Sequence, residues 1–420
     1  MFTFVGSVCN QIMIVAVARA KKDAKALKHA LKEEVLSLGG VRSLEECDLS
    51  TFKNLIPVFF FGKEDITLAE ELTQALLKHN IIFRVVILNK KSVRNARLSE
   101  LISAFERAKA EIRLGITYKN SAWCFSFHGL EKPFVFKEIH PDYDAYIVIG
   151  EKFVENLKKF FDVEIPQGAL VLRKLYNEEE FYAPRLKAIL SKKLGVRPEV
   201  LFYDPSLESF EVSIKKTLAE NERFLDFLEQ VSLNFLLKTL EGKKVAVPFS
   251  GGKDSTAVLL LTKKVVKDVT AIYVKTNFEL PHTYDYVVKI CDELKVNLVI
   301  KEVKFDLERF GHPTHENRWC TEIKLLGLKE SAEELGVDVL VAGDREAESK
   351  KRRKRKSHTK RLLEEIYPIK HWSALMVQLF LLKNRIPLHP LYLCGFYRLG
   401  CSICPSLSDW EHEILKSLNS

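Results

Sequence analysis

Ser250-Gly251-Gly252-Lys253-Asp254-Ser255 is the stretch whose residue types and spacing point most directly to chemistry. Two adjacent glycines let a backbone come close to an anion and take torsions that a side chain forbids. Where a helix begins at such a turn, the free amides of its first turn aim at the same spot, at the favourable end of the helix dipole. A polyphosphate suits that cradle. Lys253 adds a full positive charge, Ser250 and Ser255 add hydroxyl donors, and Asp254 is suited to bind magnesium or to position the turn. A turn without a ligand requires the glycines but neither the lysine nor both serines. The stretch is not a Walker A loop, because its glycines are adjacent, and no G-x-G-x-x-G follows it.

Thiols form a second constellation. Cys401-x-x-Cys404 has metal-ligand spacing, Cys394 lies seven residues before it, and Cys320 sits upstream. Four thiolates from two segments suit zinc or a [4Fe-4S] cluster, since both accept four cysteines. Cys9, Cys47, Cys124 and Cys291 fall in apolar or helical contexts and read as small core residues. His312, His315, His371 and His389 lack spaced partners and read as structural, and Trp372 and Trp410 read as core anchors.

These residues need a frame. Val245 to Phe249 reads as a strand running into the glycine turn, followed by a helix over Thr256 to Val266, a strand over Thr270 to Lys275, a helix over Tyr284 to Leu294 and a strand over Val296 to Val303. A helix over Thr321 to Leu335 and a strand over Val337 to Ala342 complete the series. Such alternation predicts a doubly wound parallel sheet, which takes its ligands at the carboxyl ends of its strands. Arg345 follows the last of these strands, where a phosphate or carboxylate partner makes physical sense.

The first third also alternates: strands at Ile12 to Ala18, Ile56 to Phe61, Ile81 to Leu88 and Ser121 to Phe127, and helices at Lys21 to Leu38, Thr67 to Lys78 and Leu98 to Ala110. Between the two lie short strands at Tyr146 to Ile149 and Ala169 to Leu172 and amphipathic helices over Phe224 to Leu240. The expectation is an α/β protein with a separate N-terminal α/β domain (1–143), a connecting, partly helical region (144–241) and the doubly wound domain (242–420).

The chain has 420 residues and a net charge of +9, of which the unbroken run Lys350 to Lys356 supplies seven. Like charges at that density predict a solvated loop able to engage phosphates. The opening Met1 to Ala18 is apolar but has no basic leader and falls short of the ~20 residues of a spanning helix, so neither a signal peptide nor an anchor is expected. Cysteines without a small secreted scaffold suggest a reducing compartment, the cytoplasm.

The hexapeptide resembles the signature of the PP-loop ATP pyrophosphatases, which cleave ATP between its α and β phosphates. The rest of the C-terminal domain resembles the phosphoadenosine phosphosulfate reductase branch of that superfamily, an adenine nucleotide alpha-hydrolase-like fold. Thr276-Asn277-Phe278-Glu279-Leu280-Pro281-His282-Thr283 is similar to its Asp-Thr-Gly-x-x-Phe-Pro-Glu-Thr segment, and Arg318-Trp319-Cys320-Thr321 with Lys324 to its Arg-Trp-Cys-Thr-x-x-Lys turn. Gly343 to Ser349 with Arg352 is similar to Gly-x-Arg-x-x-Glu-Ser-x-x-Arg, and Asn384 to Pro405 to the closure ending Gly-Cys-x-x-Cys-Pro. The resemblance implies ATP and Mg2+ held by Ser250 to Ser255, Thr276, Arg345 and Arg352, with Lys253, Asp254 and Arg345 catalytic. It turns the metal reading toward [4Fe-4S], with zinc as the alternative, on Cys320, Cys401, Cys404 and, where the family's paired cysteines become Trp319-Cys320, Cys394.

The stretch from Phe83 through Arg97-Leu98-Ser99-Glu100-Leu101 to Trp123 resembles a THUMP domain, the module that presents tRNA to modification enzymes. The residues after Pro405 lack the cysteine of the Glu-Cys-Gly-x-His motif that sulfonucleotide reductases use. The resemblance thus implies an ATP-dependent adenylating enzyme that thiolates tRNA or another acceptor with sulfur from a donor. Three alternatives remain: a sulfonucleotide reductase, a synthetase similar to FAD synthetases, and a non-enzymatic iron-sulfur RNA-binding module.

Overall fold

A computed structural model of the chain describes residues 12–41, 49–129, 139–174, 178–191, 199–207, 212–360 and 363–418. Cys9, Cys47 and the first residues of the opening apolar stretch lie outside them. The chain divides into two compact units, one of residues 1–119, 123–143 and 219–239, the other of residues 120–122, 144–218 and 240–420. Among the described residues no helix is long and apolar enough to cross a membrane.

The first unit is built on a parallel sheet of strands β1 (Ile14–Ala18), β2 (Val35–Ser37), β3 (Ile56–Phe61) and β4 (Arg84–Ile87), in the order β2-β1-β3-β4. Every residue of β1 and β3 is buried, as expected of strands covered on both faces. Helices α1 (Lys21–Leu31), α2 (Ile66–Leu77) and α3 (Leu98–Leu114) alternate with the strands. The helix expected over Lys21 to Leu38 stops early: Lys32 turns into the left-handed region, and Val35–Ser37 leaves to pair with β1. Val35 and Leu36 are apolar enough to be buried in either state, and strand pairing wins. Short strands β5 (Ile116–Lys119) and β6 (Ala122–Phe125) follow. Asn221 holds the end of β6 with both ends of its amide, accepting from Phe125 N at 2.8 Å and donating to Trp123 O at 2.6 Å.

In the second unit, the segment after residue 144 contains more strand than its sequence suggested. Strands β7 (Tyr143–Ile147), β8 (Leu170–Lys174), β9 (Glu178–Tyr182), β10 (Leu186–Ser191) and β11 (Val200–Tyr203) form one sheet in the order β11-β10-β9-β8-β7, with α4 (Glu151–Phe161) between the first two. Polar residues such as Glu178 and Glu180 break up the apolar runs of these strands, which hides them from a search for continuous hydrophobicity. Helix α5 (Ile214–Glu220) follows, and α6 (Glu222–Leu240), which belongs to the first unit but for its last residue, precedes the next sheet in the chain.

That sheet comprises β12 (Val245–Pro248), β13 (Thr270–Thr276), β14 (Asn297–Val303), β15 (Val339–Val341), β16 (His358–Lys360) and β17 (Glu364–Ile366), in the order β14-β13-β12-β15-β17-β16. All neighbours are parallel except the edge pair β16 and β17. Helices α7 (Lys253–Val265), α8 (Thr283–Leu294), α9 (Leu307–Phe310), α10 (Trp319–Glu334), α11 (Lys350–Arg353), α12 (Ala374–Lys383) and α13 (Asp409–Leu418) complete the unit. The α/β class and the parallel sheet agree with the sequence. From β12 the chain winds outward through β13 and β14, then returns to the other side of β12 as β15. The order reverses there, and an open parallel sheet leaves a crevice at such a point.

The basic run is more ordered than a solvated loop. Lys350–Arg353 make the turn α11, whose cap Ser349 Oγ accepts from Arg352 N at 3.2 Å, while Arg352 and Arg355 both pair with Asp344. Counter-charges just upstream offset the repulsion expected within the run. Lys350, Lys351, Lys354 and Lys356 are exposed.

Candidate functional site

β12 delivers the glycine turn to the reversal point. Gly251 has φ +72°, in the region that favours glycine. Ser255 Oγ donates to Gly252 O at 2.9 Å and accepts from Ser250 N at 3.3 Å, tying the two arms of the turn together. Lys253 begins α7, and its backbone N donates to Tyr392 Oη at 3.0 Å. From the other side, the segment after β15 comes so close that a Cβ on Gly343 would lie 2.9 Å from the backbone carbon of Asp254.

A cavity of about 390 Å³ opens here. Ser250, Gly252, Asp254, Ser255 and Arg352 line its phosphate-turn end, and Cys320, Cys401 and Cys404 line it together with Arg318, Lys324 and Arg398. The thiol segment is pinned across the chain by Ser402 N, which donates to Phe278 O at 2.9 Å. Arg318 Nη1 donates to Ser406 Oγ at 3.2 Å, while its Nε is buried without a hydrogen-bond partner.

Five residues singled out from the sequence do not line the cavity: Gly251, Lys253, Thr276, Arg345 and Cys394. Thr276 stands behind it, bonded through both its backbone N and its Oγ1 to Glu279 Oε1, at 2.8 and 2.9 Å. Lys253 is 2 % exposed, with Nζ 2.8 Å from Asp254 Oδ2 and over the rings of Tyr146 and Tyr392 at 5.5 and 5.4 Å. Arg345 is 1 % exposed and spans two carboxylates, Nε donating to Asp254 Oδ1 at 2.6 Å and Nη1 to Asp144 Oδ2 at 2.7 Å. The cation that follows β15 thus faces inward, toward protein carboxylates.

Burial works against every charge in this chain of groups, and the partners offset it. Asp254 beside Lys253, and Asp144 and Asp254 beside Arg345, hold both cations above their ordinary ranges. Arg345 and Lys253 in turn hold the Asp254 carboxyl below its ordinary range. Asp254 is therefore a fixed carboxylate at the cavity wall. Burial pushes the Tyr392 hydroxyl up to about 12, so it remains a neutral partner for Lys253 N.

The four cysteines do not gather. Cys394 lies in a hydrophobic cluster with Phe153, Leu391, Phe396 and Trp410 and does not reach the cavity. Among the described residues no three His, Cys, Asp or Glu side chains stand together as a metal site. So arranged, the thiols do not fit a four-cysteine cluster or zinc centre. Burial raises the Cys401 thiol, offset in part by Lys324 and by Thr276 Oγ1 at 3.7 Å.

Asp144 and Tyr146 escaped sequence reasoning. Both lie in a short strand far from any motif, and only the packing of that strand brings them to Arg345 and Lys253. Tyr392 falls within the closing motif, but nothing in its spacing marks it as a partner of the glycine turn.

Residues 244–407 match the family model of the phosphoadenosine phosphosulfate reductase domain. The uncharacterized protein MJ0973 of Methanocaldococcus jannaschii is 34% identical over 304 residues, which are 67% of this chain and 73% of that protein. MJ0066 of the same organism is 34% identical over 232 residues, 51% of this chain, and the chain spans only 46% of that relative's length. The adenosine 5'-phosphosulfate reductase of Bacillus cereus is 25% identical over 187 residues, 41% of this chain and 77% of that enzyme. The chain thus belongs to one family with MJ0973, and its C-terminal region, set in the sheet and crevice described above, is a phosphoadenosine phosphosulfate reductase domain.

Proposed function

We propose that this chain is an ATP-dependent adenylating enzyme that transfers sulfur to an activated acceptor, a tRNA base in the reading favoured by the THUMP-like stretch of the first unit. The observation that carries the proposal is the pairing, in one cavity, of a phosphate-type turn bearing the fixed carboxylate of Asp254 with a wall of thiols and cations. The β and γ phosphates of ATP rest on the amides of Asp254 and Ser255 in the first turn of α7 and on the hydroxyl of Ser250. Arg352 faces the same space. An oxygen of the acceptor attacks the α phosphorus, forming an O–P bond as the bond to pyrophosphate breaks. The outer sulfur of a persulfide-bearing donor then attacks the activated carbon and AMP leaves with the former acceptor oxygen; a thiol reductant cleaves the S–S bond of the resulting mixed disulfide, leaving the sulfur on the acceptor and a disulfide between donor and reductant. Magnesium, when bound, supplies charge to the departing pyrophosphate, and Asp254 is the residue suited to hold it. Lys253 and Arg345 serve by holding Asp254 in place.

Arg318, Lys324 and Arg398 line the cavity and suit an anionic acceptor. The test is pyrophosphate release from ATP by the purified chain, assayed with bulk tRNA, FMN or no acceptor. The expected result is release stimulated by tRNA, with a thionucleoside in the digested product once a persulfide donor is added. Release stimulated by FMN alone would support a synthetase instead. Sulfite released from adenosine 5'-phosphosulfate with a thiol reductant, and no release of pyrophosphate, would support a reductase.

A further inference from the structure

Asp144 precedes the matched domain span by a long way in sequence, on strand β7 of the other sheet in the same unit. It is 2 % exposed. Its Oδ1 accepts from the backbone N of Ala145 at 3.0 Å and of Ala374 at 2.9 Å, and its Oδ2 accepts from Arg345 Nη1 at 2.7 Å. A buried carboxylate is costly unless a charge and hydrogen bonds compensate it, and here both do. The guanidinium is a rigid planar fork, so holding one of its nitrogens sets the direction of the others. Nε of that fork donates to Asp254 Oδ1 at 2.6 Å.

We propose that Asp144 is a positioning residue of the nucleotide site: by holding Nη1 of Arg345 it sets how Nε presents the Asp254 carboxylate to the cavity. This inference rests on the ATP reading of that cavity. Asp144 itself does not line the cavity, so whatever it does for a nucleotide passes through Arg345 and Asp254. The second sheet thereby contributes a charge to a site whose recognisable motifs all lie elsewhere in the chain. A purely structural Asp144, there to neutralise Arg345 and to bond the first amide of α12, would make no such link to Asp254.

The two roles separate in a double-mutant cycle on the full chain, with MgATP affinity read by calorimetry and folding by thermal melting. Asp144→Asn keeps size and one acceptor oxygen while removing the charge. The expected result is a loss of about tenfold in MgATP affinity for Asp144→Asn, a loss at least as large for Asp254→Asn, and no further loss when the two are combined, because coupled residues are not additive. Wild-type affinity in Asp144→Asn, or losses that multiply in the double variant, would overturn the proposal while leaving the ATP reading in place. A folded wild-type chain that does not bind MgATP removes that reading, and the proposal with it. If Asp144→Asn does not fold, Asp144→Ser takes its place, removing the charge while keeping Arg345 and a side-chain oxygen on β7. In that variant a tenfold loss of affinity supports the proposal and wild-type affinity overturns it.

Discussion

His389 is fully buried, with Nδ1 accepting from Leu391 N at 3.2 Å and Nε2 3.3 Å from Thr283 Oγ1. Burial, helped by the nearby ring of His282, pushes its pKa down to about 4. The folded chain therefore binds fewer protons at this site than the unfolded chain between about pH 4 and the ordinary histidine value near 6.5. Stability contributed by neutral His389 is complete above that value and is lost as pH falls through the window, a change on the order of 3 kcal/mol. His389→Asn keeps an acceptor for Leu391 N and abolishes the titration. Denaturant unfolding at pH 7, 5.5 and 4.5 is expected to show a flatter acid slope in that variant than in the wild type, and equal slopes would show that His389 does not titrate here. That His389 is structural was legible in the sequence from its lack of spaced partners. That it is a neutral cap was not, because its pKa depends on which groups surround it.

At the scale of elements, the site depends on how closely the segment after β15 approaches the first turn of α7. Gly343 does not have a positive φ, so space and not torsion demands a glycine: an added Cβ would meet the backbone carbon of Asp254 at 2.9 Å and the amide N of Ser255 at 3.0 Å. Backbone cannot give way as a flexible side chain does. Gly343→Ala is expected to cost roughly 1–3 kcal/mol of stability through overpacking. The same shift moves the turn, so MgATP affinity is expected to fall in the folded variant. Unchanged melting and unchanged affinity would mean that the two segments are not in register as described. The glycine was visible in a motif, but its reason, contact with a turn ninety residues earlier in the chain, was not.

At the scale of the whole molecule, the second unit does not end where its recognisable domain begins. One hydrophobic cluster joins Tyr146, Phe153, Leu157 and Phe181 to Leu391, Phe396, Tyr397, Trp410 and Ile414. Gly150 and Gly395, both at positive φ, let the segments close to contact, with a Cβ on Gly395 only 2.5 Å from the Trp410 ring. A fragment beginning at residue 244 would expose half of this cluster. It is expected to be insoluble, or to keep helical far-ultraviolet dichroism while losing near-ultraviolet signal and binding a hydrophobic dye. A cooperative thermal melt of that fragment would show that the sheet of β7 to β11 is dispensable.

Local chemistry and periodicity by themselves determined much of this protein. A pair of glycines between an apolar strand and a helix was legible as a tight turn of the kind that suits an anion, and alternating apolar runs of the lengths found from Val245 to Ala342 close into a parallel sheet with a crevice at its reversal point. Tertiary structure alone decided where the charges face. Lys253 and Arg345 carry the same formal charge wherever they point, and whether they meet a phosphate or a carboxylate depends on Asp144, Tyr146 and Tyr392, which other segments bring to them. Cys394 likewise has the spacing of a ligand but is drawn into a hydrophobic cluster, because side-chain burial is settled by packing over the whole unit and not by distance along the chain.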